Sequence, residues 1–408
     1  MNHPTITKGR IQIVDALRGF SLAGIVIVHL VENYIGAPMP ESAIETTHLG
    51  ITDYIVDVII GILFRGKFFA LFSFLFGLSF FIQMDRAQDK GQNYQWRFLW
   101  RLLLLLGIGF VHHMFYRGDI LTIYALVGVF LIPFYKVKTP WIIAIAGLLF
   151  FGLGRFLVYY FTGGDNLIMS GGLTPDSPEV LSYFELIKTG ALNEVMHSNA
   201  IDGQIMKMEF QFGTFSRAYL TLAFFLLGLY AGRIRFFENF EQKWGFMQNI
   251  FYGSIGMIAV GIAVTVLGFA PIGPNVTFDN WNAMIGLTGM DLVNLAMTFM
   301  LITLFVYLFM KVRWRRWLQS FAPYGRMALT NYVFQSILGT FFFYGWGLGY
   351  LAEIPNRYTF LMAFGVIALQ MIFSSWWLRN FYYGPLEWIW RSLTHFKYYP
   401  LRKKNQLE

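Results

Sequence analysis

The stretch "VDALRGFSLAGIVIVHL", residues 14–30, places Asp15, Arg18 and His29 in a segment otherwise apolar enough for lipid. A charged side chain at a bilayer centre costs about 3 kcal/mol on insertion scales, so pairing, hydration or function must offset it. Arg18 and His29 are eleven residues apart. On a helix that is about 1100°, roughly 20° past three turns, with a rise of about 16 Å. Both side chains therefore share a face, separated by about half the hydrocarbon thickness. Asp15 is spaced to pair with Arg18 and Glu32 to orient His29, each three residues along the helix. A histidine titrates near neutrality and can serve as a general base, whereas arginine holds phosphates.

Further groups fall at matching depths. Arg97 and Arg101 precede His112 and His113 in one apolar stretch, and Arg117 and Asp119 follow at a tight turn. One of the two adjacent histidines is expected to face solvent or headgroups. Ser73 lies among small residues (Gly66, Ala70, Gly77) that suit close helix packing. "GRMALTNYVFQS" supplies Arg326, Asn331 and Gln335. Each has a purely structural alternative. Arg18 could only pair with Asp15, His29 could be an interfacial histidine, Asp119 a helix cap, Arg97 and Arg101 topology anchors, and Asn331 and Gln335 interhelical glue.

The elements that must position these groups follow from composition. Of 408 residues, 56% are hydrophobic and 13% charged, against about 25% charged in soluble chains. The apolar residues form blocks of about 20, as in a polytopic helical membrane protein. Ten spans are expected, at 11–33, 66–84, 97–116, 118–135, 140–162, 212–232, 248–270, 286–311, 323–345 and 360–380. Lys8 and Arg10, Arg86 and Lys90, Lys136 and Lys138, Arg233 and Arg235, Lys311 and Arg313, and Lys403 and Lys404 then share one side, which places both termini in the cytoplasm. The first span reads as a retained helix and not a signal peptide. The net charge of +8 resides in these short loops, so nucleic acid is not an expected partner. With no cysteine, disulfides, thiolate catalysis and cysteine metal sites are excluded.

Three segments stand apart. Residues 49–65 are short and apolar with charged ends, suited to an interface or a re-entrant path. The acidic 163–211 reads as a long extracytoplasmic loop with a lid or binding role. The tail "GPLEWIWRSLTHFKYYPLRKK" reads as an amphipathic interfacial helix. The division is thus 1–162, 163–211 and 212–408.

"ALRGFSLAGIVIV", "GKFFALFSFLFGLSF", "GDILTIYALVG", "GRMALTNYVFQS" and "GPLEWIWRSLT", in order, resemble the motifs of the YeiB-like family (domain of unknown function 418). That family is similar to membrane acyltransferases, among them acyltransferase family 3, with its Arg–ten residues–His spacing, and the lysosomal heparan glucosaminide acetyltransferase. The resemblance implies that His29 is catalytic, with His112 and Asp119 as further candidates, and that Arg18 supports acyl-CoA binding together with Arg97, Arg101 and Arg326. It implies an acyl-CoA donor such as acetyl-CoA, no metal, and an extracytoplasmic glycan or small-molecule acceptor. His48 loosely matches a luminal-loop histidine of the heparan enzyme. A bacterial inner-membrane, multi-pass location is expected, with a homodimer left open. A transporter using the same polar path and a non-catalytic envelope-organising protein are the alternatives.

Overall fold

The computed structural model describes residues 11–169, 174–273 and 278–403. Lys8, Arg10 and Lys404, part of the positive-inside pattern, lie outside the described residues. The described chain is helical throughout, with one isolated bridge between Phe381 and Arg402. In order, the helices are α1 (Gln12–Val31), α2 (Glu41–Thr47), α3 (Ile51–Ile59), α4 (Lys67–Gln88), α5 (Gln95–Phe115), α6 (Leu121–Gly128), α7 (Leu131–Phe134), α8 (Thr139–Phe150), α9 (Leu153–Thr162) and α10 (Pro178–Thr189). Then come α11 (Leu192–Ala200), α12 (Asp202–Phe212), α13 (Arg217–Arg233), α14 (Trp244–Phe269), α15 (Trp281–Met310), α16 (Val312–Gln319), α17 (Phe321–Arg326), α18 (Ala328–Phe343), α19 (Asn356–Asn380) and α20 (Pro385–His395).

Among the described residues, six helical stretches are long and apolar enough to cross a membrane, or eight if each of two bent pairs counts as one span. Length and composition alone thus do not reach the expected ten. The segments at 118–135 and 323–345 are apolar, but each is divided: α6 from α7 at residues 129–130, α17 from α18 at Met327. Hydropathy does not register such breaks. α8 and α9 meet at 51°, with Gly152 at φ 84°, and α12 and α13 meet at 61°. Residues 49–65 form α3 and a π-turn (Ile60–Phe64) that runs into α4. The π-turn ends at Gly66, whose φ of 83° is left-handed backbone that glycine adopts without steric cost. The expected loop at 163–211 largely folds into α10, α11 and α12. Pro178 at the start of α10 and Gly190 after its end are ordinary start and stop residues.

α1 is the axis of the bundle. Its apolar window is 78% buried, against 11% for α14 at the periphery. It packs against α4, α17, α18 and α19. The approach to α17 is close because Gly19 and Gly325 face each other: a Cβ on Gly325 would meet the Asp15 carbonyl and the Gly19 amide. α4 and α13 cross similarly at Gly77 and Gly228. A central α1 turns the polar residues of its stripe toward protein, where partners can be built.

Candidate functional site

Two chambers lie along α1, one beside Arg18 and one beside His29. The Arg18 chamber, about 580 Å³, is lined by Arg18, Arg86, Arg101, Arg326 and Arg391 with the carboxylates of Asp15 and Glu387. Arg18 donates to Asp15 at 3.0 Å, as its spacing predicts, and to Ser79 Oγ at 3.1 Å. The Arg101 guanidinium lies 3.6 Å from the centre of the Trp390 ring, while Trp390 Nε1 donates to the Arg101 carbonyl at 2.9 Å. The tail helix α20 therefore forms one wall, joined to α5. It is also tied to α18: Glu387 accepts from the Leu329 and Thr330 amides at 2.8 and 3.1 Å and from Thr330 Oγ1 at 2.6 Å.

The His29 chamber, about 560 Å³, is lined by His29, Glu32, Arg65, Arg117, Asp119, Lys207 and Arg217 among aromatic and aliphatic side chains. His29 is half-buried, with the Tyr34 and Tyr116 rings each at 5.2 Å, and among the described residues nothing hydrogen-bonds to its imidazole. Glu32 does not orient it. That carboxylate accepts from Arg65 Nε at 2.7 Å, because the π-turn and Gly66 carry Arg65 back to the end of α1.

Asp119 and His112 form a buried dyad behind this chamber. The Asp119 carboxylate accepts from the Leu121 and Thr122 amides at 3.1 and 3.0 Å and from Thr122 Oγ1 at 2.8 Å, with Lys207 Nζ at 3.6 Å. A carboxylate so supplied with donors acts as acceptor toward His112 Nδ1, 2.7 Å away. A proton then sits on Nδ1, and Nε2 has no partner among the described residues. The dyad meets His29 across Tyr116 and Tyr332: His29 is 5.2 and 6.4 Å from these rings, His112 6.1 and 5.0 Å.

Several expected placements are corrected. Arg18 and His29, expected on one face, line two chambers, Arg18 with Arg101 in one and His29 in the other, with Phe72, Tyr124 and Tyr332 lining both. His112 lines neither, and both His112 and His113 are buried, so neither faces solvent. Arg97 is exposed on the outside of α5, with His395 Nδ1 3.4 Å from its Nη1, and lines no chamber. Ser73 and Asn331 serve packing: Ser73 bonds the Tyr124 hydroxyl at 2.7 Å, and Asn331 donates to Ser374 at 2.9 Å. The Gln335 side chain is buried without a hydrogen-bond partner among the described residues and lines neither chamber. His48 ends α2, its Nδ1 2.9 Å from the Ile44 carbonyl and its Nε2 3.2 Å from Asn356. Lys207, Arg217, Arg391 and Glu387 are chamber residues that sequence spacing did not single out. Lys207 carried a signal as one of two lysines in the acidic 163–211 segment, and Glu387 and Arg391 carried one through the motif "GPLEWIWRSLT"; Arg217 carried none.

Comparison with known proteins divides the chain in two. Residues 10–187 match the family described as heparan-alpha-glucosaminide N-acetyltransferase, catalytic, and residues 231–397 match the family described as protein of unknown function (DUF418). The uncharacterized protein YxaH of Bacillus subtilis is 31% identical over 317 residues, covering 75% of this chain and 73% of YxaH. An uncharacterized 39.9 kDa protein from the amylase 3′ region of Bacillus acidopullulyticus is 28% identical over 324 residues, with the same coverage of each chain. The uncharacterized protein YeiB of Escherichia coli is 41% identical over 75 residues, 18% of this chain and 19% of YeiB.

Proposed function

The chain belongs to the YeiB-like (DUF418) family, with a front half akin to the heparan-alpha-glucosaminide N-acetyltransferase catalytic region, and from that premise we propose that it is a membrane acyltransferase. In this reading it moves an acyl group, acetyl by analogy with the front half, from cytosolic acyl-CoA to an extracytoplasmic hydroxyl or amine. The carrying observation is one helix serving two chambers. α1 puts Arg18 in an arginine-lined chamber and the His29 imidazole, without a hydrogen bond among the described residues, in a second, with three aromatic side chains common to both.

Counting the two divided segments as crossings restores ten passes and puts both termini in the cytoplasm, in keeping with a bacterial inner-membrane protein. The Arg18 chamber then opens to the donor. Arg18, Arg101, Arg326 and Arg391 bind the CoA phosphates, and the pantetheine arm reaches past Phe72, Tyr124 and Tyr332. The separation of Arg18 from His29, about 16 Å along the helix, suits that extended arm. On the far side His29 takes the proton of the acceptor hydroxyl as its oxygen attacks the thioester carbonyl. The C–S bond breaks, and the proton passes from the imidazolium to the departing CoA thiolate. Asp119 fixes the His112 tautomer and positions the second imidazole beside Tyr116 and Tyr332.

The test is thiol release from acetyl-CoA by the full chain in proteoliposomes, supplied with an envelope extract as acceptor source. His29→Asn should lower turnover by about two to four orders of magnitude, the usual worth of a positioned acid–base group, with acetyl-CoA binding retained. Arg101→Ala should weaken that binding. Full turnover in the Asn variant removes His29 from catalysis, and a wild-type chain that neither binds nor consumes acetyl-CoA leaves the transporter reading in its place.

A further inference from the structure

Charge in the His29 chamber is unbalanced. Four cations line it, Arg65, Arg117, Lys207 and Arg217, against two carboxylates, Glu32 and Asp119. Both carboxylates are already engaged, Glu32 by Arg65 at 2.7 Å and Asp119 by His112 at 2.7 Å, with Lys207 3.6 Å away. Arg117 is fixed by neutral groups: it donates to Asn199 at 2.8 Å and Ser198 at 2.9 Å and stacks 3.5 Å above Tyr183. The Arg217 side chain, at the first turn of α13, makes no hydrogen bond and no close ion pair among the described residues; the Phe210 ring lies 5.9 Å away, and Asp291 and Glu32 act on it only at longer range. The acidic group on the adjoining α15, Asp291, is held by Arg155 at 2.5 Å. A guanidinium lining a mostly apolar chamber without a counter-charge in contact is costly. A bound anion offsets that cost, and guanidinium pairs with phosphate or carboxylate through two parallel hydrogen bonds.

Much of the remaining lining is apolar: Ile25, Phe69, Phe72, Phe210, Phe215 and Phe278 border the same space. We infer that this chamber takes an amphiphilic ligand with an anionic group, a phosphate or carboxylate, held by Arg217 while its apolar portion lies along the phenylalanines. The inference rests on the acyltransferase reading only in making this ligand the acceptor. There, Arg217 would anchor the acid and leave a neighbouring hydroxyl for His29.

The experiment is equilibrium binding to the purified full chain in nanodiscs of neutral lipid. The probes are lysophosphatidylglycerol, lysophosphatidylcholine with the same acyl chain, and glycerol 3-phosphate. Lysophosphatidylglycerol should bind in a salt-sensitive way, lysophosphatidylcholine at least tenfold more weakly. Arg217→Gln should weaken the anionic probe at least tenfold, and Arg217→Lys, which keeps a cation, should restore much of the loss. Glycerol 3-phosphate should bind far more weakly than lysophosphatidylglycerol; binding as tight, with the same dependence on Arg217, would make a soluble phosphate compound the ligand and overturn the apolar half of the inference. Equal affinity for the two lysolipids, or equal binding by wild type and Arg217→Gln, overturns the inference. Acetyl-CoA binding, measured on the same samples, keeps the two readings apart. CoA bound with no Arg217 effect sinks only the inference, and an Arg217-dependent anion site without CoA sinks only the acyltransferase.

Discussion

Asp119 serves three partners from a position 2% exposed: it caps α6 through the Leu121 and Thr122 amides, bonds His112, and is the counter-charge of Lys207. The substitution Asp119→Asn separates these roles. An amide oxygen can still accept at the cap, but Lys207 becomes an uncompensated buried cation. Breaking a buried pair from one side costs about 3–5 kcal/mol, so a large fall in the thermal unfolding midpoint is expected. Pairing Asp119→Asn with Lys207→Gln removes the stranded charge and should recover most of it; a double variant no more stable than the single one would show that the cap, not the ion pair, dominates. Such residue-scale contacts were legible in the sequence only when local. Asp15 and Arg18 pair at i,i+3 as their spacing says. Glu32 has the same spacing from His29 but is captured by Arg65, 33 residues away. The charge surplus around Arg217 was invisible for the same reason, since it arises where α1, α4, α12 and α13 converge.

Helices here approach one another where glycine allows it. At Gly325 an added Cβ would run into the Asp15 carbonyl and the Gly19 amide, backbone atoms that cannot rotate aside. Overpacking of this kind costs about 1–3 kcal/mol. Gly325→Ala should lower the unfolding midpoint accordingly and, by tilting α1 against α17, shift Arg18 in its chamber. Gly365, exposed on α19 with nothing near its Cβ position, is the control. Its alanine variant should lose nothing, since alanine is the better helix former by about 1 kcal/mol. Equal effects at the two positions would refute close α1–α17 contact as the cause. The long apolar helices α1, α4, α5, α14, α15 and α19 were plain in the sequence because length and hydropathy alone define them. The divided segments were not, because a break at Met327, or a bend at Gly152, changes backbone direction without changing mean hydropathy. The segment 163–211 showed its helix punctuation, Pro178 and Gly190 included, yet its polarity favoured a loop.

At the scale of the whole molecule, the tail closes what the N-terminal helix opens. Trp390 stacks on Arg101 from α5, Glu387 clasps the start of α18, and Arg391 projects into the chamber that Arg18 lines. "GPLEWIWRSLT" and "GRMALTNYVFQS", 50-odd residues apart, are thus two halves of one clasp, and this explains why both stand out as motifs more than hydropathy alone requires. The clasp has a pH signature. Desolvation pushes the Glu387 carboxyl above its ordinary value of 4.5, against the pull of the Thr330 hydroxyl and the Thr330 and Leu329 amides. The folded chain therefore holds this proton more tightly than the unfolded chain does. The stability contributed is full below about pH 4.5 and is lost as pH rises through the folded pKa. The unfolding midpoint should fall over that interval, and Glu387→Gln, with nothing to titrate, should flatten this part of the slope. In the same variant the tail keeps its Trp390–Arg101 stack, so acetyl-CoA binding should become less dependent on pH across the window instead of vanishing. An unchanged midpoint slope in Glu387→Gln would assign the pH dependence to another group and leave the clasp a pH-indifferent structural contact.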